Sequence, residues 1–240
     1  MAKVLIFQHA GPEHAGRFAD FMAEDGFGTH VVNLDQGEVI PDVAGFDALV
    51  VLGGPQQVWE ENKFPWLVAE KAAIRAAVRD HDLACLGLCL GHQLIADALG
   101  GAAGQAKTPE VGILPVTLTD AGCNSAFLAG VEPVLPCVQA HGAEVISPPE
   151  GAVILAQSPA CAVQAMQVGA RVFSMQFHLE ITPFMLEECL AIPAYQEEFE
   201  ELLGADGVAP FVAQNAEMTP EFDRVARQLY VNWRDTTGLS

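Results

Sequence analysis

The feature that most restricts the fold of this chain is an alternation of short apolar runs with longer helical patterns. Four apolar runs early in the chain have the length and aliphatic content of buried strands: residues 3–8, 29–35, 46–52 and 83–88. Helical patterns lie between and after them: residues 15–26, 65–80 and 90–101. Because parallel strands need a crossover connection, usually a helix, this order predicts a parallel sheet with helices on both faces.

The second half of the chain is richer in strand patterns. Further strands are predicted at residues 112–119, 152–158, 162–168 and 171–180. Helical patterns resume near Thr182 and over residues 219–233, and the acidic segment 194–207 is also helical by pattern. We therefore expect an α/β fold with one doubly wound, mainly parallel sheet of flavodoxin-like type. Residues 1–190 form this domain, and residues 191–240 are a helical C-terminal extension packed on it.

The charge balance argues against two classes of partner. The 240 residues include 31 Asp and Glu against 11 Lys and Arg, a formal net charge of −20. Such a surface repels the phosphates of nucleic acids and the headgroups of anionic membranes, so we expect neither as a partner. No apolar run approaches the roughly 20 residues that cross a bilayer. The N-terminal residues lack the order of a secretory signal, so we expect a cytoplasmic location.

The six cysteines are scattered through apolar segments and form no C-x-x-C pair. In a chain of this length without a signal sequence, that pattern indicates reduced thiols rather than a disulfide framework. We expect no structural zinc, no other metal and no cofactor.

One of these cysteines has the sequence context of a nucleophile. Residues 87–91 read Gly-Leu-Cys-Leu-Gly, with Cys89 between a predicted strand and a predicted helix. Glycines on both sides allow a sharp turn that presents the central side chain above the sheet, as in a nucleophile elbow. The helix N-terminus below favours the thiolate over the thiol. The alternative for Cys89 is a glycine turn with an incidental cysteine. Cys85, in the interior of the predicted strand, is better explained as a small buried residue.

A thiol nucleophile needs a base, and the segment "FSMQFHLE" supplies one with a partner. His178 and Glu180 follow an apolar strand, and residues two apart on a strand face the same way. The ends of parallel strands are where open α/β sheets place their sites. A lone histidine is more often a buried structural residue, but the strand-end thiol and the nearby carboxylate favour a catalytic one.

Gly53-Gly54-Pro55 ends a third predicted strand. Acyl transfer to a thiol passes through an oxyanion, which backbone N–H groups stabilise, and a Gly-Gly turn allows the backbone to approach closely. Alone, this segment is also consistent with an ordinary turn. Together, the three strand ends indicate a Cys-His-Glu acyl-transfer site.

These motifs resemble those of a known family. G-x-C-x-G-H-Q, then F-H-x-E, with an upstream G-G-P, is similar to the class I (triad-type) glutamine amidotransferases. The resemblance covers about the first 190 residues, and the motifs occur in the family's order. The segment "GGPQQVWEENKFPWLVAEKAAI" also resembles stand-alone members of the family that are GMP-synthase-like.

The resemblance implies hydrolysis of the side-chain amide of glutamine through a thioester, with the ammonia passed to an acceptor. It assigns the nucleophile to Cys89, the base to His178 and its partner to Glu180. It places the oxyanion-hole N–H groups on Gly54 and Leu90 and a substrate contact at Gln93. We also expect Gly53 and His141 to line the substrate site, and for His141 the alternative is a structural role.

The sequence departs from the family pattern at two places. Leu179 stands where F-H-P-E has proline, and Ala143 stands where an acid often follows His-Gly, with Glu144 next. We interpret His9 and His92 as structural or rim residues.

Three functions remain open from the sequence. The motifs contain no P-loop, and no synthetase module follows the triad, so we expect either a separate synthetase or acceptor subunit or a hydrolase. The rival enzyme is a γ-glutamyl peptide or amide hydrolase with the same triad. The rival from another class is a non-catalytic interaction module, against which the intact Cys-His-Glu set argues.

Overall fold

The computed structural model describes residues 1–193, 195–197 and 199–240 with their side chains, and residues 194 and 198 by their backbone. Nine strands form one mixed sheet: β1 (Lys3–Gln8), β2 (Gly28–Asn33), β3 (Ala48–Val51), β4 (Ala84–Leu88), β5 (Ala102–Leu118), β6 (Val134–Ser147), β7 (Ala152–Gln157), β8 (Ala165–Val168) and β9 (Val172–Met175). Their order across the sheet is β2-β1-β3-β4-β9-β8-β7-β5-β6.

Helices connect and flank these strands: α1 (Gly16–Glu24), α2 (Trp66–Arg79), α3 (Leu90–Ala98), α4 (Asp120–Cys123), α5 (Pro183–Leu190), α6 (Pro193–Leu203) and α7 (Val208–Thr237). Short 3₁₀ segments cover Leu34–Gln36 and Val43–Gly45. In the part of the chain that the structure describes, no helix is both long enough and apolar enough to cross a bilayer.

The five strands β2, β1, β3, β4 and β9 are parallel, and their carboxyl ends therefore meet at one edge of the sheet. The remaining strands β8, β7, β5 and β6 continue the sheet through antiparallel pairs. The predicted α/β fold with one large central sheet is confirmed. Four of its eight strand pairings are parallel and four are antiparallel.

Helices cover both faces of the parallel part, as the alternation in the sequence predicts. In β1 the side chains of Val4 and Ile6 join one apolar cluster with α1 and α7, whereas Leu5 and Phe7 join another with α2 and α3. Because strand residues alternate between faces, a strand buried on both sides must be apolar throughout. This explains why β1, β3 and β4 read as continuous hydrophobic runs.

The second half of the sheet differs from the sequence prediction in two respects. The sequence pattern predicts no strand over β6, which pairs with a β5 that begins ten residues before the predicted start at Gly112. The strand predicted over residues 171–180 ends at Met175, so His178 and Glu180 lie beyond its end rather than on it. Both differences concern the segments that surround the candidate site.

The C-terminal helix α7 contributes to the main core. Phe222, Leu229 and Trp233 are each at most 1% exposed and belong to the same apolar cluster as β1 and β3. Pro220 lies inside the helix. These side chains share their apolar cluster with Phe18 and Phe21 of α1. The domain boundary at residue 190 stays a prediction.

We predict that Phe222→Ala lowers the free energy of unfolding by about 3–5 kcal/mol, because it leaves a cavity in a fully buried site. Glu217→Ala, on the exposed side of the same helix, is the matched control and is expected to change it by at most about 0.5 kcal/mol. Urea denaturation followed by circular dichroism measures both. Equal stability of the two variants would contradict an integral role for α7.

Candidate active site

Cys89 lies at the turn between β4 and α3, at the carboxyl edge of the parallel strands. Its φ is +50° and its ψ is −106°, a conformation that residues with a side chain rarely adopt. Glycine allows this turn, because a Cβ on Gly91 would lie 2.0 Å from the carbonyl oxygen of Val51, and one on Gly87 would lie 2.8 Å from that of Gly91. The first turn of α3 therefore presses against β3, and Cys89 is held above the sheet at the helix N-terminus.

His178 and Glu180 form a buried pair beside Cys89. Nδ1 of His178 lies 2.5 Å from Oε1 of Glu180, whose Oε2 accepts a hydrogen bond of 3.0 Å from the N–H of Leu179. Burial alone would lower the pKa of His178, but the charge of Glu180 and the interaction with Cys89 outweigh it and raise that pKa well above its usual value. With Nδ1 bonded to Glu180, Nε2 is the ring nitrogen left for the thiol.

The backbone of His178 is held by β6, the strand that the sequence pattern did not reveal. The N–H of His178 donates to the carbonyl oxygen of Val138 at 2.8 Å, and the N–H of Val138 donates back at 3.2 Å. This isolated bridge lies beyond the end of β9. It fixes the imidazole next to Cys89 although His178 is not part of a continuous strand.

Arg17 links the loop that carries Glu180 to helix α7. Its guanidinium donates to the carbonyl oxygens of Leu179 and Ile181, on either side of Glu180, and pairs with Asp223 of α7. A buried arginine that binds two backbone carbonyls fixes the loop without proline at position 179. Sequence reasoning missed this role.

Two glutamine side chains connect the thiol to strand β6. Nε2 of Gln176 lies 3.5 Å from Sγ of Cys89, and its Oε1 accepts a hydrogen bond of 3.0 Å from Nε2 of Gln93. Gln93 also donates to the carbonyl oxygen of Ala143 at 3.1 Å. Gln93 thus lines the same pocket as Cys89, with its amide nitrogen bonded to the protein. Gln176 was not predicted, although it lies two residues before His178.

Gly53, Gly54 and Leu90 surround the thiol on its other side. The position of a Cβ on Gly53 would be 3.7 Å from Cβ of Cys89 and 3.5 Å from Cε1 of His178. Among the residues that the structure describes, neither the N–H of Gly54 nor that of Leu90 has a hydrogen-bond acceptor. Two such N–H groups beside a nucleophile match what an oxyanion requires.

His141 lies on the pocket wall. Its Nδ1 lies 3.0 Å from the carbonyl oxygen of Ala143, and its Nε2 lies 3.3 Å from Oε2 of Glu110. Glu110 in turn accepts hydrogen bonds from Ser158 and Gln164. Both ring nitrogens of His141 thus face protein oxygen atoms, and the residue also lines the pocket.

A pocket opens above these residues and is closed on its outer side by the C-terminal extension. Tyr195, Phe199 and Leu202 of α6 line it, and Oη of Tyr195 donates to Oε1 of Glu13 at 2.5 Å. Burial raises the pKa of Glu13, against the opposing effect of Tyr195 and the charge of His178. No local pattern pointed to Glu13 or Tyr195, because they are 182 residues apart.

Five further cysteines lie outside the elbow. Burial raises the pKa of Cys85, Cys161 and Cys189 to about 12 and raises that of Cys137 as well. Cys123 is exposed, on the short helix α4. All six are free thiols, as the sequence predicts.

Comparison with protein families gives an independent assignment. The model of the family named glutamine amidotransferase class-I matches residues 18–187. The chain belongs to the class I glutamine amidotransferases. The match spans the Gly-Gly segment, the elbow and the His178–Glu180 pair, so the family predicted from the motifs is confirmed.

Relatives within the class I glutamine amidotransferases cover most of the chain. The glutamine amidotransferase-like protein YfeJ of Salmonella typhimurium is 33% identical over 220 residues, 90% of this chain and 89% of that protein. A glutamine-hydrolyzing GMP synthase subunit of Sulfolobus acidocaldarius is 34% identical over 155 residues, 64% of this chain and 78% of that subunit. A crystal structure of a glutamine amidotransferase from Methylobacillus flagellatus superposes with a TM-score of 0.88 at 25% identity, covering 98% of this chain and 95% of that one.

We predict that iodoacetamide at neutral pH alkylates Cys89 before Cys85, Cys137, Cys161 and Cys189, because Cys89 lies beside His178 on the pocket wall whereas burial raises the pKa of those four thiols. The experiment uses a Cys123→Ser background, which removes the exposed competitor, with peptide mass mapping over time. His178→Asn should slow labelling of Cys89 by about 10-fold or more, and Glu180→Gln should slow it less. Labelling of Cys189 at the rate of Cys89 would contradict this picture.

Proposed function

We propose that this chain hydrolyses the side-chain amide of glutamine through a Cys89–His178–Glu180 triad and a thioester intermediate. The observation that carries the proposal is the meeting of three groups at one sheet edge. They are a thiol on a glycine-framed elbow, a buried imidazole–carboxylate pair in contact with it, and two nearby backbone N–H groups without an acceptor among the described residues. Membership in the class I glutamine amidotransferases supports the choice of substrate.

In the first step the thiolate of Cys89 attacks the amide carbon of glutamine. A C–S bond forms, and the carbonyl electron pair moves onto oxygen, where the N–H groups of Gly54 and Leu90 stabilise the charge. The imidazolium of His178 gives its proton to the departing nitrogen as the C–N bond breaks. Ammonia leaves, and the glutamyl group remains on sulfur as a thioester.

In the second step water hydrolyses the thioester. His178, now neutral, takes a proton from water, and the hydroxide equivalent attacks the thioester carbon through a second oxyanion. The C–S bond breaks, glutamate leaves, and Cys89 is restored as a thiolate beside the imidazolium. Glu180 accepts a hydrogen bond from Nδ1 in both states, so it orients the ring and stabilises its charged form.

We further propose that the ammonia is passed to a synthetase or other acceptor subunit in the cytoplasm. Support comes from similarity to the glutamine-hydrolyzing GMP synthase subunits of Sulfolobus acidocaldarius and Sulfurisphaera tokodaii, at 34% and 37% identity. Reduced thiols are consistent with a cytoplasmic location. The acceptor's identity does not enter the chemistry at Cys89.

We predict that the purified chain converts glutamine into equal amounts of glutamate and ammonia, measured by coupled glutamate dehydrogenase and by direct ammonia assay. Cys89→Ala should reduce the rate by at least about 10⁴-fold, because it removes the nucleophile. Cys123→Ala, on the surface far from the triad, is the matched control and should retain the parent rate.

The same assay separates the rival functions. γ-Glutamyl dipeptides are offered in parallel, and a kcat/KM for a dipeptide that exceeds the value for glutamine by about 10-fold or more would favour a γ-glutamyl hydrolase. No turnover of either class by the parent chain, with Cys89 no more reactive than Cys123, would favour a non-catalytic module.

A further inference from the structure

A histidine outside the triad lies under the Gly53–Gly54 segment. His9 follows β1 and is completely buried, as is its partner Glu70 on α2. Nδ1 of His9 lies 2.8 Å from the carbonyl oxygen of Gly53, and Nε2 lies 2.8 Å from Oε1 of Glu70. The ring stacks on Trp66 with centroids 5.6 Å apart. Each ring nitrogen thus faces an oxygen acceptor.

Nδ1 of His9 carries hydrogen in this arrangement. A carbonyl oxygen only accepts hydrogen bonds, so Nδ1 must donate to Gly53, while Nε2 forms the hydrogen bond to the carboxyl group of Glu70. Burial alone would lower the pKa of His9, but the charge and hydrogen bond of Glu70, together with Gly53 and Glu13, raise it. Oε2 of Glu70 is buried with no hydrogen-bond partner among the described residues. The hydrogen bond from Oε1 to His9 therefore offsets the cost of burying this side chain.

The contact with Gly53 also determines the direction of the next N–H group. The carbonyl of Gly53 and the N–H of Gly54 belong to one peptide unit, and they point in opposite directions because the peptide is trans. If His9 holds the carbonyl on one side, the N–H must point to the other. Gly53 and Gly54 line the same pocket as Cys89, and a Cβ on Gly53 would be 3.7 Å from Cβ of Cys89, so this peptide unit lies beside the thiol.

Neither position 53 nor position 54 has room for a side chain that could restrain the backbone. A Cβ on Gly54 would be 2.6 Å from Cβ of His9 and 2.9 Å from Cδ2 of Leu90, and one on Gly53 would be 2.5 Å from Oε2 of Glu13. Glycine is therefore required for close packing, and glycine is also the residue whose backbone rotates most freely. The hydrogen bond from His9 restrains this freedom.

We propose that His9, held by Glu70 and stacked on Trp66, is a positioning residue that fixes the Gly53–Gly54 peptide with the Gly54 N–H directed at the oxyanion. This inference rests on the proposed function, because the oxyanion forms in the proposed reaction. The pair of His9 and Glu70 acts through the backbone of Gly53 and Gly54 rather than on the substrate. Loss of the anchor lets the peptide rotate and removes one oxyanion donor. Removal of one such donor lowers kcat by about 10²–10³-fold.

The test uses variants that keep or remove the donor at the position of Nδ1. All are made with Glu70→Gln, so that no variant leaves an unpaired buried carboxylate. His9→Asn places an amide nitrogen where Nδ1 stood and preserves the donor to Gly53. His9→Leu fills the site without a donor, and His9→Gln retains polarity but places its amide one bond too far.

Two reactions of Cys89 are measured for each variant. Acylation by p-nitrophenyl acetate forms a tetrahedral oxyanion and needs no glutamine recognition, whereas alkylation by iodoacetamide forms none. We expect His9→Leu/Glu70→Gln to lose about 10²-fold in acylation and in kcat for glutamine, with KM and alkylation within about 3-fold of the parent. His9→Asn/Glu70→Gln should stay within about 10-fold in every reaction.

The outcomes separate this inference from the proposed function. Selective loss of acylation in the leucine variant supports the anchor even if glutamine proves not to be a substrate. Equal acylation in the leucine and asparagine variants, whether high or low, overturns it. If the leucine variant does not fold, the His9→Gln variant replaces it and is held to the same two criteria.

Discussion

The architecture of the site depends on the contact between the first turn of α3 and the backbone of β3. Gly91 approaches the carbonyl of Val51 so closely that a methyl group would lie 2.0 Å from the oxygen. This approach forces the nearby residue Cys89 into a positive-φ turn above the sheet and leaves the N–H of Leu90 without an acceptor in the described part of the chain. Because α3 is anchored in this way, the thiol and one candidate oxyanion donor share a fixed position.

The other parts of the site are positioned by contacts from distant segments. β6 holds the backbone of His178, Arg17 holds the loop that carries Glu180, and His9 holds the carbonyl of Gly53. The His178–Glu180 and His9–Glu70 pairs thus both contribute near Cys89, the first beside the thiol and the second through the backbone of Gly53. In the extension, α6 lines the pocket, and Asp223 of α7 pairs with Arg17.

The parts that the sequence predicted are those encoded by local patterns. The parallel strands, the elbow at Cys89 and the pair at His178 and Glu180 each follow from residues within a few positions of one another. β6 was missed because Pro136 and Gly142 interrupt its strand pattern. The role of His9 could not be predicted, since its partners lie 44 and 61 residues away and a lone histidine after a strand is usually structural.

The central claim is that glutamine is cleaved through a thioester on Cys89. The most direct measurement adds hydroxylamine to the reaction and quantifies γ-glutamyl hydroxamate, which forms when hydroxylamine replaces water at the thioester carbon. The account predicts that hydroxamate appears at the expense of glutamate, while the rate of ammonia release from glutamine changes little if thioester formation is the slower step. It also predicts that Cys89→Ala forms none. Hydroxamate formation that persists in Cys89→Ala, or ammonia release without any hydroxamate, would contradict it.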